Sequence, residues 1–199
     1  MRITRLALYS AIIIVTAIIL VSGTLLYQRT REQQAAQTAA IGGPFELTDQ
    51  DGKLRKSSDF IGHPLIIYFG YTYCPDVCPT SLQAIAEALN ILGDKGKDLV
   101  PIFITVDPGR DTPKVLKEYL PAFGPRFVGL TGSAAELKPV LKEFRVFAKI
   151  GERDKDDPNG YLVSHTSFSY LIDRKGNFVS VLPHGQTPEK IAEALRKLL

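Results

Sequence analysis

Tyr71-Thr-Tyr-Cys74-Pro75-Asp76-Val77-Cys78-Pro79 holds the only two cysteines of the 199-residue chain, four positions apart and each followed by proline. The residue before a proline is pushed out of the right-handed helical region, so both cysteines are expected in a non-helical loop. Leu65-Ile-Ile-Tyr-Phe69 precedes the loop, and Leu82, Ile85, Leu89 and Leu92 follow at helical spacing. The stretch reads as strand, two-thiol loop, helix, with the helix running from about Thr80 to Leu92. Pro79 falls near its first position and Gly93 is its stop. A thiol beside a helix N-terminus feels the positive end of the dipole, which predicts a lowered pKa. A structural disulfide and inert burial are the bland alternatives. A bridge closing so short a loop removes little chain entropy, which leaves redox chemistry or metal binding.

Outward from this stretch, strand and helix patterns alternate. Phe45 to Leu54 alternates around Asp51-Gly52, a hairpin signal. Leu99–Val106 is apolar and β-branched, as in a strand buried on both faces. Asp107-Pro-Gly-Arg-Asp111-Thr112-Pro113 closes it, and Asp111 or Thr112 caps the next helix. Asp107 and Asp111 read as turn and cap residues rather than metal ligands. Pro121 is expected to end or bend that helix. A short strand follows at 127–130, and Ser133-Ala-Ala-Glu136 opens a further helix as a capping box, with Pro139 expected to kink it. Residues 150–159 form a charged, solvated loop. Thr166–Asp173 and Asn177–Leu182 flank a turn and read as a second hairpin, before a last helix from Thr187-Pro188.

The amino-terminal region differs. Leu6–Tyr27 is an uncharged run of 22 residues rich in Ile, Leu and Val, long enough to cross a bilayer and longer than a signal-peptide core. Residues 1–32 are therefore expected to be a membrane anchor and residues 33–43, rich in Ala, Gln and Gly, a flexible tether. The folded domain would span 44–199. Arg2 and Arg5 favour a cytoplasmic N-terminus, which Arg29 and Arg31 oppose. With the N-terminus inside, the domain lies where thiol redox state is managed outside the cytoplasm. Only five residues precede the span, so the expectation is a bacterial inner membrane, single-pass, with the domain on the periplasmic side. The net charge of +3 resides in the anchor: from Gln33 on, 20 basic residues balance 20 acidic ones. A neutral domain gives no electrostatic case for nucleic acid.

The order of elements argues for an α/β fold like thioredoxin, with an N-terminal hairpin and an inserted charged loop. Loops at the carboxyl ends of its parallel strands gather on one side, which would place Cys74, Cys78 and the Asp107–Asp111 loop on a common edge. Of three histidines, His63 belongs at the far end of the strand leading to the cysteines, and His184 reads as turn surface. His165 occupies the loop that packs against the thiols in such a sheet, where a thioredoxin reductase has proline. Tyr71 and Tyr73 read as packing or rim residues, and Asp76 as a residue that biases the local field or faces a partner, with simple solvation as the bland alternative.

Phe69-Gly-Tyr-Thr-Tyr-Cys-Pro-Asp-Val-Cys-Pro79, Val106-Asp-Pro-Gly-Arg-Asp-Thr-Pro113, Leu130-Thr-Gly-Ser133 and Val163-Ser-His-Thr-Ser167 with Tyr170-Leu-Ile-Asp173 resemble the Sco/SenC family. These are membrane-tethered copper proteins needed to assemble cytochrome c oxidase. The resemblance covers Pro44–Leu199. It implies copper as the metal, with Cys74, Cys78 and His165 as its ligands. It also implies a chaperone, not an enzyme, that delivers copper to the dinuclear copper centre of the oxidase's copper-site subunit. A copper-loading chaperone or thiol reductase would be a further partner. Many relatives have Asp before the ligand histidine; this chain has Ser164. Two thiolates and an imidazole suit Cu(I) and also hold Cu(II), whereas zinc wants a fourth ligand. The alternative function is a thiol–disulfide oxidoreductase, with Cys74 and Cys78 as redox thiols, that keeps the oxidase's copper-site cysteines reduced. A peroxidase is weaker, since there is no resolving cysteine beyond these two.

Overall fold

The structure, a computed structural model, describes residues 16–17, 19–29, 41–157 and 159–199. Residues 19–29 are helical (α1) and exposed. Among the described residues no helix is long and apolar enough to cross a membrane; of the expected span, residues 6–15 and 18 lie outside the described residues, as do residues 33–40 of the expected tether.

Residues 41–199 form one compact unit. Its main sheet has seven strands in the order β2-β1-β5-β4-β3-β8-β9. The hairpin β1 (Glu46–Asp49) and β2 (Leu54–Lys56) turns at Gly52, whose φ of 77° suits glycine. β3 (Leu65–Gly70), β4 (Val100–Thr105) and β5 (Val128–Thr131) are mutually parallel. Every residue of β3 is buried, in keeping with its continuous apolar run. β8 (Ser169–Ile172) lies antiparallel to β3, and β9 (Phe178–Leu182) to β8. Four further helices complete the unit: α2 (Val77–Leu92), α3 (Pro113–Tyr119), α4 (Ala134–Glu143) and α5 (Pro188–Arg196). α2 packs against α5, α3 against β5 and α4 against β1. The expected thioredoxin-like arrangement with its leading hairpin is present.

Several boundaries differ from the sequence reading. α2 begins at Val77, so Cys78 is helical and only Cys74 lies in the loop. Preproline residues avoid the helix because of the proline ring, but Pro79 sits in the first turn, where its missing N–H has no intrahelical acceptor to serve. α4 runs through Pro139 without a break. The charged loop is the tip of a ribbon that the alternation did not reveal: β6 (Ala148–Ile150) pairs antiparallel with β7 (Val163–His165) in a separate two-stranded sheet. Each of these strands has three residues, too short for period-two patterning to register.

Thr112 is the cap of α3, accepting from the Val115 amide. Asp111 does something else. It is fully buried and accepts from the Thr72 amide (3.1 Å), the Thr72 hydroxyl (2.6 Å) and the Thr105 hydroxyl (2.7 Å). Its own carbonyl accepts from the Thr131 hydroxyl (2.7 Å). One residue thus fastens the carboxyl ends of β3, β4 and β5. Burial pushes the Asp111 carboxyl above its ordinary range, against the downward pull of these donors. Asp111→Ala leaves three donors without their acceptor and should lower the unfolding free energy by about 3 kcal/mol, read from urea melts; a loss below about 0.5 kcal/mol would mean the brace is not structural.

Candidate metal centre

The parallel strands deliver their carboxyl ends to one edge, and β8, being antiparallel to β3, starts at that same edge. The segment entering β8 therefore arrives beside the segment leaving β3. This brings His165, 87 residues from Cys78 in sequence, to a distance of 3.5 Å between its Nε2 and Cys78 Sγ. Cys74, Cys78 and His165 offer ligand atoms that all lie within 4.8 Å of one another, the only such group of three among the described residues. Neither Asp107 nor Asp111 belongs to it.

Each of the three side chains is held differently. Cys74 is half-buried; its N–H donates to the Tyr71 carbonyl (3.2 Å), and the Cys78 amide in the first turn of α2 donates to its Sγ (3.4 Å). Cys78 is completely buried. Here the expected lowering of the thiol pKa fails: burial pushes Cys78 up to about 12, because desolvation outweighs the helix dipole. Behind it stands Gly70. A Cβ there would lie 2.9 Å from Cys78 Sγ, 2.9 Å from the Tyr68 ring and 3.0 Å from the Phe103 ring, so only glycine lets the sulfur settle against β3. Both thiols are free.

His165 Nδ1 lies 3.0 Å from the Thr166 carbonyl. A carbonyl only accepts, so Nδ1 carries the proton and Nε2 presents its lone pair to the thiols. Burial lowers the pKa of this imidazole, which favours the neutral, ligating form. Tyr71 and Tyr68 pack edge-on to it, at centroid distances of 5.7 and 6.5 Å. Thr166 secures the ribbon by exchanging hydrogen bonds with the Phe147 backbone. A donor set of two sulfurs and one neutral imidazole nitrogen fits a soft, low-coordinate ion.

The other sequence candidates are placed as follows. His63 is exposed and contacts the Asp98 carbonyl (3.0 Å). His184 is an exposed loop residue whose Nδ1 meets the Ser81 hydroxyl (3.0 Å). Asp76 is exposed and Ser164 lies on the exposed side of β7. Tyr71 is buried and Tyr73 is exposed. Sequence reasoning missed the supports. Asp107 pairs with Arg110 and accepts from the Tyr161 hydroxyl (2.8 Å). Arg110 Nη1 donates to the Asn159 and Tyr161 carbonyls, and its guanidinium lies 3.6 Å from the Tyr161 ring and 4.6 Å from Tyr73. This cluster ties the charged loop to the thiol loop. Its one sequence signal is an acid and an arginine within a turn that looked sufficient to itself.

The two thiols should react unequally. At a pH of about 8, near the ordinary thiol range, iodoacetamide should add once to the folded, reduced chain, at Cys74, and twice only in urea. Equal labelling of Cys78 in the folded chain, read by mass spectrometry, would contradict this geometry.

Comparison with known proteins agrees with this reading. The SCO1/SenC family model matches residues 33–199. A SCO2-like protein of Rickettsia felis is 44% identical over 195 residues, 93% of this chain and 95% of that one. The structure of Bradyrhizobium japonicum ScoI with copper bound is similar at a TM-score of 0.74 and 47% identity, over 80% of this chain and 100% of that one. BsSco, a Sco-family cytochrome c oxidase assembly protein with a disulfide switch, matches at a TM-score of 0.63 and 26% identity, over 81% of this chain and 96% of that one. The chain therefore belongs to the SCO1/SenC family.

Proposed function

We propose that this protein is a membrane-tethered copper metallochaperone that binds one copper through Cys74, Cys78 and His165 and delivers it to the dinuclear copper centre of cytochrome c oxidase during assembly. The observation that carries the reading is the convergence of three soft or borderline donors within 4.8 Å, in a family whose Bradyrhizobium member holds copper. Copper is cargo here. It requires deprotonated thiols, so loading releases protons from a site where Cys78 is otherwise protonated. Cys74, half-exposed in its loop, is where an acceptor thiolate first exchanges; Cys78, fully buried, lets go after it.

The anchor and location are part of the proposal. Leu6–Tyr27 carries no charge, and Ile19, Leu20 and Leu26 of α1 are each more than 60% exposed, an arrangement that lipid would cover. We place the protein in a bacterial inner membrane with the domain on the periplasmic side.

One observation favours a second activity. A half-exposed Cys74 with a buried Cys78 four residues on is the pattern of an attacking and a resolving thiol. In this reading Cys74 attacks a disulfide of the oxidase copper site, and Cys78 displaces the reduced client as Cys74 and Cys78 oxidise to a disulfide. The disulfide switch of BsSco supports it.

Mixing the loaded, reduced chain with the copper-free, reduced copper-site domain of the oxidase separates the two. Wild type should transfer its copper, and His165→Ala should bind at least about a hundredfold more weakly against a Cu(I) chelator and transfer none. Should His165→Ala bind and transfer like wild type, His165 is not a ligand; should wild type transfer no copper while the copper-free chain reduces an oxidised acceptor, the chaperone reading fails and the reductase stands.

A further inference from the structure

A cavity of about 570 Å³ lies between the Asp107 turn, α4 and the β6–β7 ribbon. Its apolar lining comprises buried Leu137 and Val146, half-buried Leu141 and exposed Ile150. Its rim is basic, with Lys138, Lys142, Lys149 and Arg153. Asp107 is the only acid lining it, and that carboxylate is engaged by Arg110 and Tyr161. Among the described residues, Lys138, Lys142 and Lys149 pair with no carboxylate. Arg153 stacks over the Tyr161 ring at 5.0 Å; in a domain where positive and negative residues balance from Gln33 onward, the three lysines around one apolar hollow are a local excess that no carboxylate answers.

The hollow reaches the metal centre. Ala148 lines it and stands directly opposite His165 in the ribbon; Val163 lines it and precedes His165 by two residues on the same strand. Directly opposed residues have their Cβ atoms only about 5 Å apart. Anything seated in the hollow is one cross-strand step from the imidazole.

We propose that this groove docks a segment of a partner protein that carries apolar side chains flanked by carboxylates, and that docking holds the partner beside Cys74, Cys78 and His165. The volume suits a few buried side chains, and the rim supplies the complementary charge. A bilayer surface fits less well. Binding there requires apolar groups that project past the cations, whereas Leu137 and Val146 are buried and the four cations are exposed. Identifying the partner with the copper acceptor rests on the function proposed above; the groove's chemistry does not.

The test uses the full chain in detergent, reduced and copper-free, with a fluorescein-labelled amphipathic peptide that bears leucines on one side and glutamates on its edges. Fluorescence anisotropy should show saturable binding. The exposed double variant Lys138→Glu/Lys142→Glu should weaken it about tenfold or more, as should replacing the peptide's glutamates by glutamine. Ile150→Ser, or serine for the peptide's leucines, should weaken it too. Absence of saturable binding, or equal affinity for the charge-reversed variant, overturns the groove. So does displacement of the peptide from wild type by a short-chain, water-soluble phosphatidylglycerol that does not bind the double variant, since the face is then a lipid contact. Copper binding is read in parallel. The double variant should keep it, so that a failed groove leaves the copper reading standing, and a wild type that binds peptide but no copper sinks only the function.

Discussion

A single buried carboxylate holds the working edge of this protein together. Asp111 receives Thr72 from the thiol loop and Thr105 from the end of β4, and its backbone receives Thr131 from the end of β5. Taking a carboxylate out of water is unfavourable, and Asp111 shows it in a pKa drawn upward by burial. What makes the arrangement tolerable is that both carboxylate oxygens are hydrogen-bonded, by the Thr72 amide and hydroxyl and by the Thr105 hydroxyl. The loop carrying Cys74 is therefore anchored to the sheet rather than left to its own conformational freedom. Arg110, stacked among tyrosines, does the same for the charged loop.

On that frame, topology makes the site. Had β8 run parallel to β3, His165 would have arrived at the opposite end of the sheet. Because it runs antiparallel, the imidazole meets the thiols edge to edge with two tyrosines, its proton parked on the Thr166 carbonyl. Gly70 leaves room for Cys78 and nothing more. The site combines a fully buried sulfur with a half-buried sulfur and a half-buried imidazole. That asymmetry suits a cargo that must be held and then surrendered.

Much of this was legible in the chain. The thiol stretch between an apolar run and a helical stripe, and the Ser133 capping box, each had a local physical signature; Cys74 lies in the expected loop and Ser133 caps α4, whereas Cys78 falls inside α2 and His165 at the end of β7 rather than in a loop. The failures share a cause. Preproline stiffness placed Cys78 outside the helix because the first-turn exception depends on where the helix starts. The dipole argument for a low thiol pKa ignored burial, which is set by β3 and its neighbours. The roles of Asp111, Gly70 and Arg110 depend on residues that are distant in sequence, and a turn motif gives no sign that its acid will be swallowed by three strand ends.

The central claim is that these two sulfurs and this imidazole together hold copper. X-ray absorption spectroscopy of the reduced, Cu(I)-loaded full chain tests it most directly. The account predicts a first shell of two sulfur neighbours and one nitrogen neighbour, with the nitrogen lost in His165→Ala. A shell of sulfur alone in wild type, or a nitrogen that survives the substitution, would contradict it.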